Sequence, residues 1–240
     1  MFLILDIVIL ISCEKDNSTP FINLTKIVVG DYSNISFQRL DTIINGAEWE
    51  PASFEIDIDN DSIGDFKFYS IYWGSPGMGG YYSESSVVCL NNSSFINITY
   101  FPDTVFMNTE FDTLETRITI YDYYSCKRES PDYSILKIEE SYFLNVIKKK
   151  DSISVTDSWI TDSITLIEDI NWSVTQITGP PDTTVFRVYY YYHKCHNFPN
   201  NTIAYIGIKK ENAGKIKLGW IKLSVSQNRI ISVLEAAIQK

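Results

Sequence analysis

The chain has 240 residues, 45% of them hydrophobic, and carries a net charge of −10 with a pI near 4.7. That apolar content is enough for a core and excludes global disorder, while the acidic balance excludes recognition of a nucleic-acid backbone by charge. Tyr, Phe, Ile, Thr and Ser are abundant and Ala and Leu scarce, which suits pleated strands better than helices, so an all-β chain is expected.

Residues 1–12 are apolar apart from Asp6. The run is shorter than the ~20 residues that span a bilayer and reads as the core of a signal peptide. Its end, Leu10-Ile11-Ser12-Cys13, resembles the lipobox of bacterial lipoproteins. That resemblance implies a lipid on Cys13, which then becomes the first mature residue and ties the protein to a membrane. Asp6 and the lack of a basic segment before the run depart from the pattern, and a plain secretory signal with an incidental cysteine is the alternative. Glu14-Lys15-Asp16-Asn17 resembles the surface-export tag of Bacteroidetes lipoproteins, although a solvated tether would also be polar. These resemblances imply the bacterial outer membrane and its outer surface. The expected division is a lipoprotein signal peptide over 1–12, the lipidated cysteine and tether with a first short strand over 13–35, and a β-sandwich domain over 36–240. Without Cys13 the thiols are Cys89, Cys126 and Cys195, which allow at most one disulfide within a monomer and no disulfide scaffold.

From residue 36 short apolar or alternating runs follow one another between turn residues. Such spacing predicts a sandwich or barrel, and the expected fold is an antiparallel, jelly-roll-like β-sandwich with few or no helices. The first distinctive element is IDIDNDSIGDF over residues 56–66. Asp57, Asp59, Asp61 and Asp65 fall at positions 1, 3, 5 and 9 of a loop, with the carbonyl of Ile63 at position 7. A hard cation that takes six to eight oxygens fits that pattern, and calcium fits it better than magnesium, which prefers rigid octahedral sites. Position 12 is Phe68, not the bidentate Glu of an EF-hand, so an EF-hand is excluded. Ser62 occupies the sixth position, where glycine ordinarily makes the sharp turn, and Gly64 is expected to absorb part of the strain. A solvated acidic turn without an ion is the simpler alternative.

Next along the chain, GSPGMGGYY over 74–82 is glycine-rich but lacks the lysine and following helix of a phosphate cradle. Flanked by Trp73, Tyr81 and Tyr82, it is the expected edge for a glycan or protein ligand, although strand alternation sends about half of such rings into the core. Residues 133–147 place Leu136, Glu139, Glu140 and Phe143 at helical spacing and are the one candidate short helix. His193, Cys195 and His196 resemble soft-metal ligands in type, but neighbours in a strand face opposite ways and no second cluster completes four ligands. No G-x-S-x-G elbow supports a Ser-His-Asp hydrolase. Thirty acidic residues can always supply a carboxylate pair of glycosidase type, so an extracellular hydrolase is the second reading.

The C-terminal stretch alternates Ile221, Leu223 and Val225 against Trp220, Lys222 and Ser224, then turns into residues 230–237, the pattern of a closing hairpin. GWIKLSV over 219–225 and the single acidic loop far upstream together resemble Bacteroidetes-type surface lipoproteins that share a DxNxDGxxDF loop and a GWxxLxV ending. This resemblance implies a β-sandwich held outside the cell and no particular reaction. The expectation is a cell-envelope binding or structural module with a calcium-ordered loop rather than an enzyme.

Overall fold

The alternation read along the chain has a simple physical outcome: each strand sends every second side chain into one layer. A computed structural model describes residues 25–75, 80–111, 117–125, 134–171, 173–178, 182–190, 198–226 and 229–240. Its strands are β1 (Lys26–Val28), β2 (Ile35–Ile44), β3 (Ala52–Ile56), β4 (Phe66–Ser75), β5 (Gly80–Cys89) and β6 (Ser94–Phe111). They continue with β7 (Arg117–Ser125), β8 (Ser134–Leu144), β9 (Val146–Ile147), β10 (Ser152–Ser154), β11 (Ser158–Ile160) and β12 (Ser163–Asn171). The last are β13 (Ser173–Thr178), β14 (Asp182–Tyr190), β15 (Thr202–Asn212), β16 (Lys215–Val225) and β17 (Ile231–Gln239). No helix occurs among the described residues. Within the candidate helix at 133–147, residues 134–144 instead form β8, which pairs antiparallel with β6 from Ile98↔Leu144 to Met107↔Ser134, and residues 146–147 form β9.

Two sheets make a sandwich that does not close into a barrel. The larger runs β13-β14-β7-β6-β15-β16-β17-β2, with β8 and β11 also on β6 and β9 on β15. The smaller runs β12-β5-β4-β3. All pairings between these strands are antiparallel except β14 with β7, which is parallel. Between the sheets lies one core: Ile56, Phe66, Phe68, Val87 and Ile164 from the small sheet meet Ile206, Ile208, Ile221, Leu223 and Val233 from the large one. Phe66 and Phe68 are fully buried there, and truncating a side chain of that size in a core costs about 3–5 kcal/mol.

The other face of the large sheet is covered too. β1 and β10 form a two-stranded ribbon, and Ile27, Val29 and Ile153 pack with Tyr205, Leu218 and Trp220 in a second core. Trp220 meets Tyr205 and Tyr32 edge-on, with ring centroids 5.3 and 5.7 Å away. Residues 26–29 therefore belong to the packed body. β16 approaches β17 closely at Gly219, where an added Cβ would stand 2.3 Å from the carbonyl oxygen of Ala237.

Candidate metal centre

The acidic segment is the connection between β3 and β4, the two strands that pair Ile56 with Phe66. Asp65 extends that pairing by donating its N–H to the carbonyl of Ile56 at 2.7 Å. Between them the chain makes a loop whose one apolar inward residue, Ile58, is buried in the core. Gln38 on β2 holds the loop from the large sheet: its side-chain amide donates to the carbonyl of Asp57 at 2.8 Å and contacts the Asn60 side chain at 3.3 Å.

The loop is then wound by its own carboxylates. Asp57 accepts the N–H groups of Asp61 at 3.1 Å and Ser62 at 2.7 Å, and Asp61 accepts that of Ile63 at 2.8 Å. Asn60 and Ser62 adopt φ of 61° and 70°. Ser62 thus takes the left-handed conformation that glycine ordinarily supplies at this point, at a cost of about 1–2 kcal/mol. Gly64 does not share it, because its φ is not among the positive ones.

This winding brings Asp57, Asp59 and Asp61 together, with one carboxylate oxygen of each within 4.8 Å of the others, a cluster that could hold a metal ion. Like charges so close repel by about 1–4 kcal/mol per pair, depending on solvent access. Asp59 bears the greatest burden. Its Oδ1 is buried with no hydrogen-bond partner, and its Oδ2 lies 4.0 Å from the Lys210 ammonium. Burial raises its pKa above the ordinary value, and the charges of Asp65, Asp61 and Asp57 add to the rise against the opposing pull of Lys210. A cation at the cluster would reverse that penalty by favouring the charged form.

Asp65 is not part of this group. Its residue is fully buried. Oδ2 accepts the N–H of Ile58 at 2.9 Å, and Oδ1 accepts from Asn91 at 3.1 Å, from Ser94 at 3.2 Å and from the ammonium of Lys210. Lys210, only 4% exposed, reaches from β15 across the interior. The ninth position of the acidic pattern is thus occupied by a carboxylate spent on holding the loop down. Ile63 stands exposed on the loop rim, and Phe68 lies in the core.

The predicted ligand edge lies at the far end of β4, seven residues from Phe66 and so about 23 Å along the strand. Trp73 is 44% exposed and tilts against Tyr82 at 5.5 Å. Tyr81 lies on β5 opposite Gly74. Reading the sequence missed a third ring here. Trp49 is 62% exposed and stacks on Trp73 at 6.4 Å with the planes 18° apart. Its φ of 63° belongs to a tight turn closed by the Glu50 N–H on the carbonyl of Ala47, and an indole at that φ is a strained choice. The only available signal was an indole between two acids just before Pro51. On the same outer face Glu84 accepts from Tyr69 at 2.8 Å and from Tyr82 and Ser86.

Cys89 is a free thiol. Burial, then the charges of Asp162 and Asp65, pushes its pKa up to about 12, so it is neither nucleophile nor ready disulfide partner at neutral pH. Cys13, Cys126, residues 76–79, His193, Cys195 and His196 lie outside the described residues. No family model matches the chain, and no curated protein or solved structure does.

The Asp59 arrangement has a direct consequence for stability. The folded state holds the Asp59 proton more tightly than the unfolded chain does. Its contribution to stability therefore falls as pH rises from the ordinary value of 3.8 through the raised one. In chelator at neutral pH, Asp59→Asn should raise the melting temperature and remove that falling limb from a pH series. A lower melting temperature for the variant under those conditions would contradict the account.

Proposed function

We propose that this protein is a lipid-anchored module of a bacterial outer membrane, exposed at the cell surface, with a binding or structural role and a loop ordered by calcium. The observation that carries the calcium reading is the Asp57–Asp59–Asp61 cluster with its partnerless buried oxygen on Asp59. All the side-chain donors are hard carboxylate oxygens, and an irregular loop suits the flexible coordination of calcium better than the octahedron of magnesium. The ion would link residues already wound around Asp57 and so brace the β3–β4 connection. A ligand, glycan or protein, is best accommodated by the exposed rings of Trp49 and Trp73, backed by the half-buried Tyr82, at the other end of β4.

The envelope reading rests on the resemblance of residues 10–13 to a lipobox. Expressed in a lipoprotein-processing bacterium, the protein should incorporate labelled palmitate and sediment with membranes. Cys13→Ser should abolish both, and a variant that still carries label would exclude lipid at this residue.

Calcium is tested by melting. An ion that binds only the folded state stabilises it by about 2.7 kcal/mol at a hundred times its Kd, or about 5–10 °C for a domain of this size. Saturating calcium should therefore raise the melting temperature over chelator by that order, magnesium by less, and Asp57→Asn or Asp61→Asn should remove the gain. Coincident melts of the unaltered protein in calcium and chelator would refute the calcium-ordered loop.

A further inference from the structure

The end of the large sheet beneath the acidic loop departs from the rest of the core. Alternate residues of a strand share a face, and the core-facing row of β15 runs Ile206, Ile208, Lys210, Asn212. The matching row of β16 runs Lys215, Lys217, Gly219, Ile221, with Lys210 opposite Lys217 and Asn212 opposite Lys215. On β17 the row is Ala236 and Ile238, with Ile238 opposite Gly219, and it continues to Lys240. Isoleucine on β15 and β17 and glycine on β16 therefore give way to lysine at the same level of the sandwich.

What lies between those lysines is space. A cavity of about 440 Å³ is lined by Asp59, Lys210, Asn212, Lys215, Lys217 and Lys240. Its floor is fixed. Lys210 is anchored by Asp65 and by Ser93 Oγ at 3.3 Å, with Asp59 Oδ2 at 4.0 Å as its third polar neighbour. Its rim is a tight turn, with Ala213 and Gly214 at φ of 49° and 76°, and Lys240 is tied down by its N–H on the carbonyl of Asn34 at 3.1 Å. In a chain of net charge −10, Asp65 and Asp59 both face the Lys210 ammonium, while Lys217 and Lys240 line the cavity with no carboxylate in ion-pair reach among the described residues.

We propose that this cavity is an oxyanion site: it takes a small acid, or the acidic group of a larger ligand, through a phosphate, sulfate or carboxylate. Lysines supply adaptable point charges for such a group, charge-assisted hydrogen bonds give the hold, and Asn212 offers an amide donor at the rim. The volume suits a group of monosaccharide size. Asp59 is a wall of the cavity and also a member of the metal cluster. Charge on Asp59 repels the anion, and a cation beside it cancels that repulsion, so calcium tightens anion binding and the anion tightens calcium binding by the same factor. This coupling, though not the lysine cavity itself, rests on the calcium reading above.

The test is calorimetric titration of the full chain, calcium-saturated and in low salt, with inorganic phosphate, inorganic sulfate and glucuronate in separate arms. At least one should bind, and the preferred arm names the oxyanion. Lys217→Gln and Lys240→Gln should each weaken it about 3- to 10-fold, as loss of one charged contact does, while Lys149→Gln, on an exposed turn that does not line the cavity, should leave it unchanged. Chelator should weaken binding several-fold in the unaltered protein. The oxyanion site is overturned if none of the three binds or if Lys149→Gln weakens binding as much as Lys217→Gln, and the coupling is overturned if calcium and chelator give equal affinities. A calcium melting shift with no anion binding removes this site and leaves the metal centre standing. Lysine-dependent binding with no calcium melting shift removes the metal centre and the coupling together.

Discussion

A buried ion pair, Lys210 with Asp65, is the constraint on which the acidic end of the molecule depends. Both residues are withdrawn from water. Taking two charges out of water costs several kcal/mol per ion, repaid only where geometry and further hydrogen bonds satisfy both groups. Here they do. Asp65 accepts from Ile58, Asn91, Ser94 and Lys210, and Lys210 also meets Ser93. The pair joins the small sheet to the large one at the level where the isoleucine rows end, so it replaces apolar packing as the tie between the layers.

Everything distinctive nearby follows from that tie. Because Asp65 is drawn inward and accepts the N–H of Ile58, the loop must bulge between them, and Asp57 closes the bulge on the N–H groups of Asp61 and Ser62. Asp59 is left between the outer carboxylates and the lysine-lined cavity, half-sheltered and with one oxygen unsatisfied. The stacked rings of Trp49 and Trp73 lie far off, at the other end of β4.

The sheet character was legible because alternation is local: Ile56, Phe66 and Phe68 announce a buried face by themselves. The strand at 134–144 was not, because Leu136, Glu139, Glu140 and Phe143 satisfy helical spacing, and pairing with β6 decided the matter. Burial of Trp220 on the second face was hidden for a similar reason, since its cover comes from β1 and β10. The acidic cluster was half legible. The spacing of Asp57, Asp59 and Asp61 survives in the folded loop, but nothing near Asp65 in the chain reveals a lysine 145 positions away. The lysine cavity is visible only once β15, β16 and β17 are laid side by side, and Trp49 only once its turn brings it to Trp73.

The most direct measurement of this account is a double-mutant cycle on Asp65→Asn and Lys210→Met, read by denaturant unfolding. Removing one partner leaves the other charge buried and unpaired, so each single change should cost about 3–5 kcal/mol. The double variant should lose clearly less than the sum, by at least about 1 kcal/mol. Additive losses, or single losses near zero, would show that the pair does not hold the loop to the sheet.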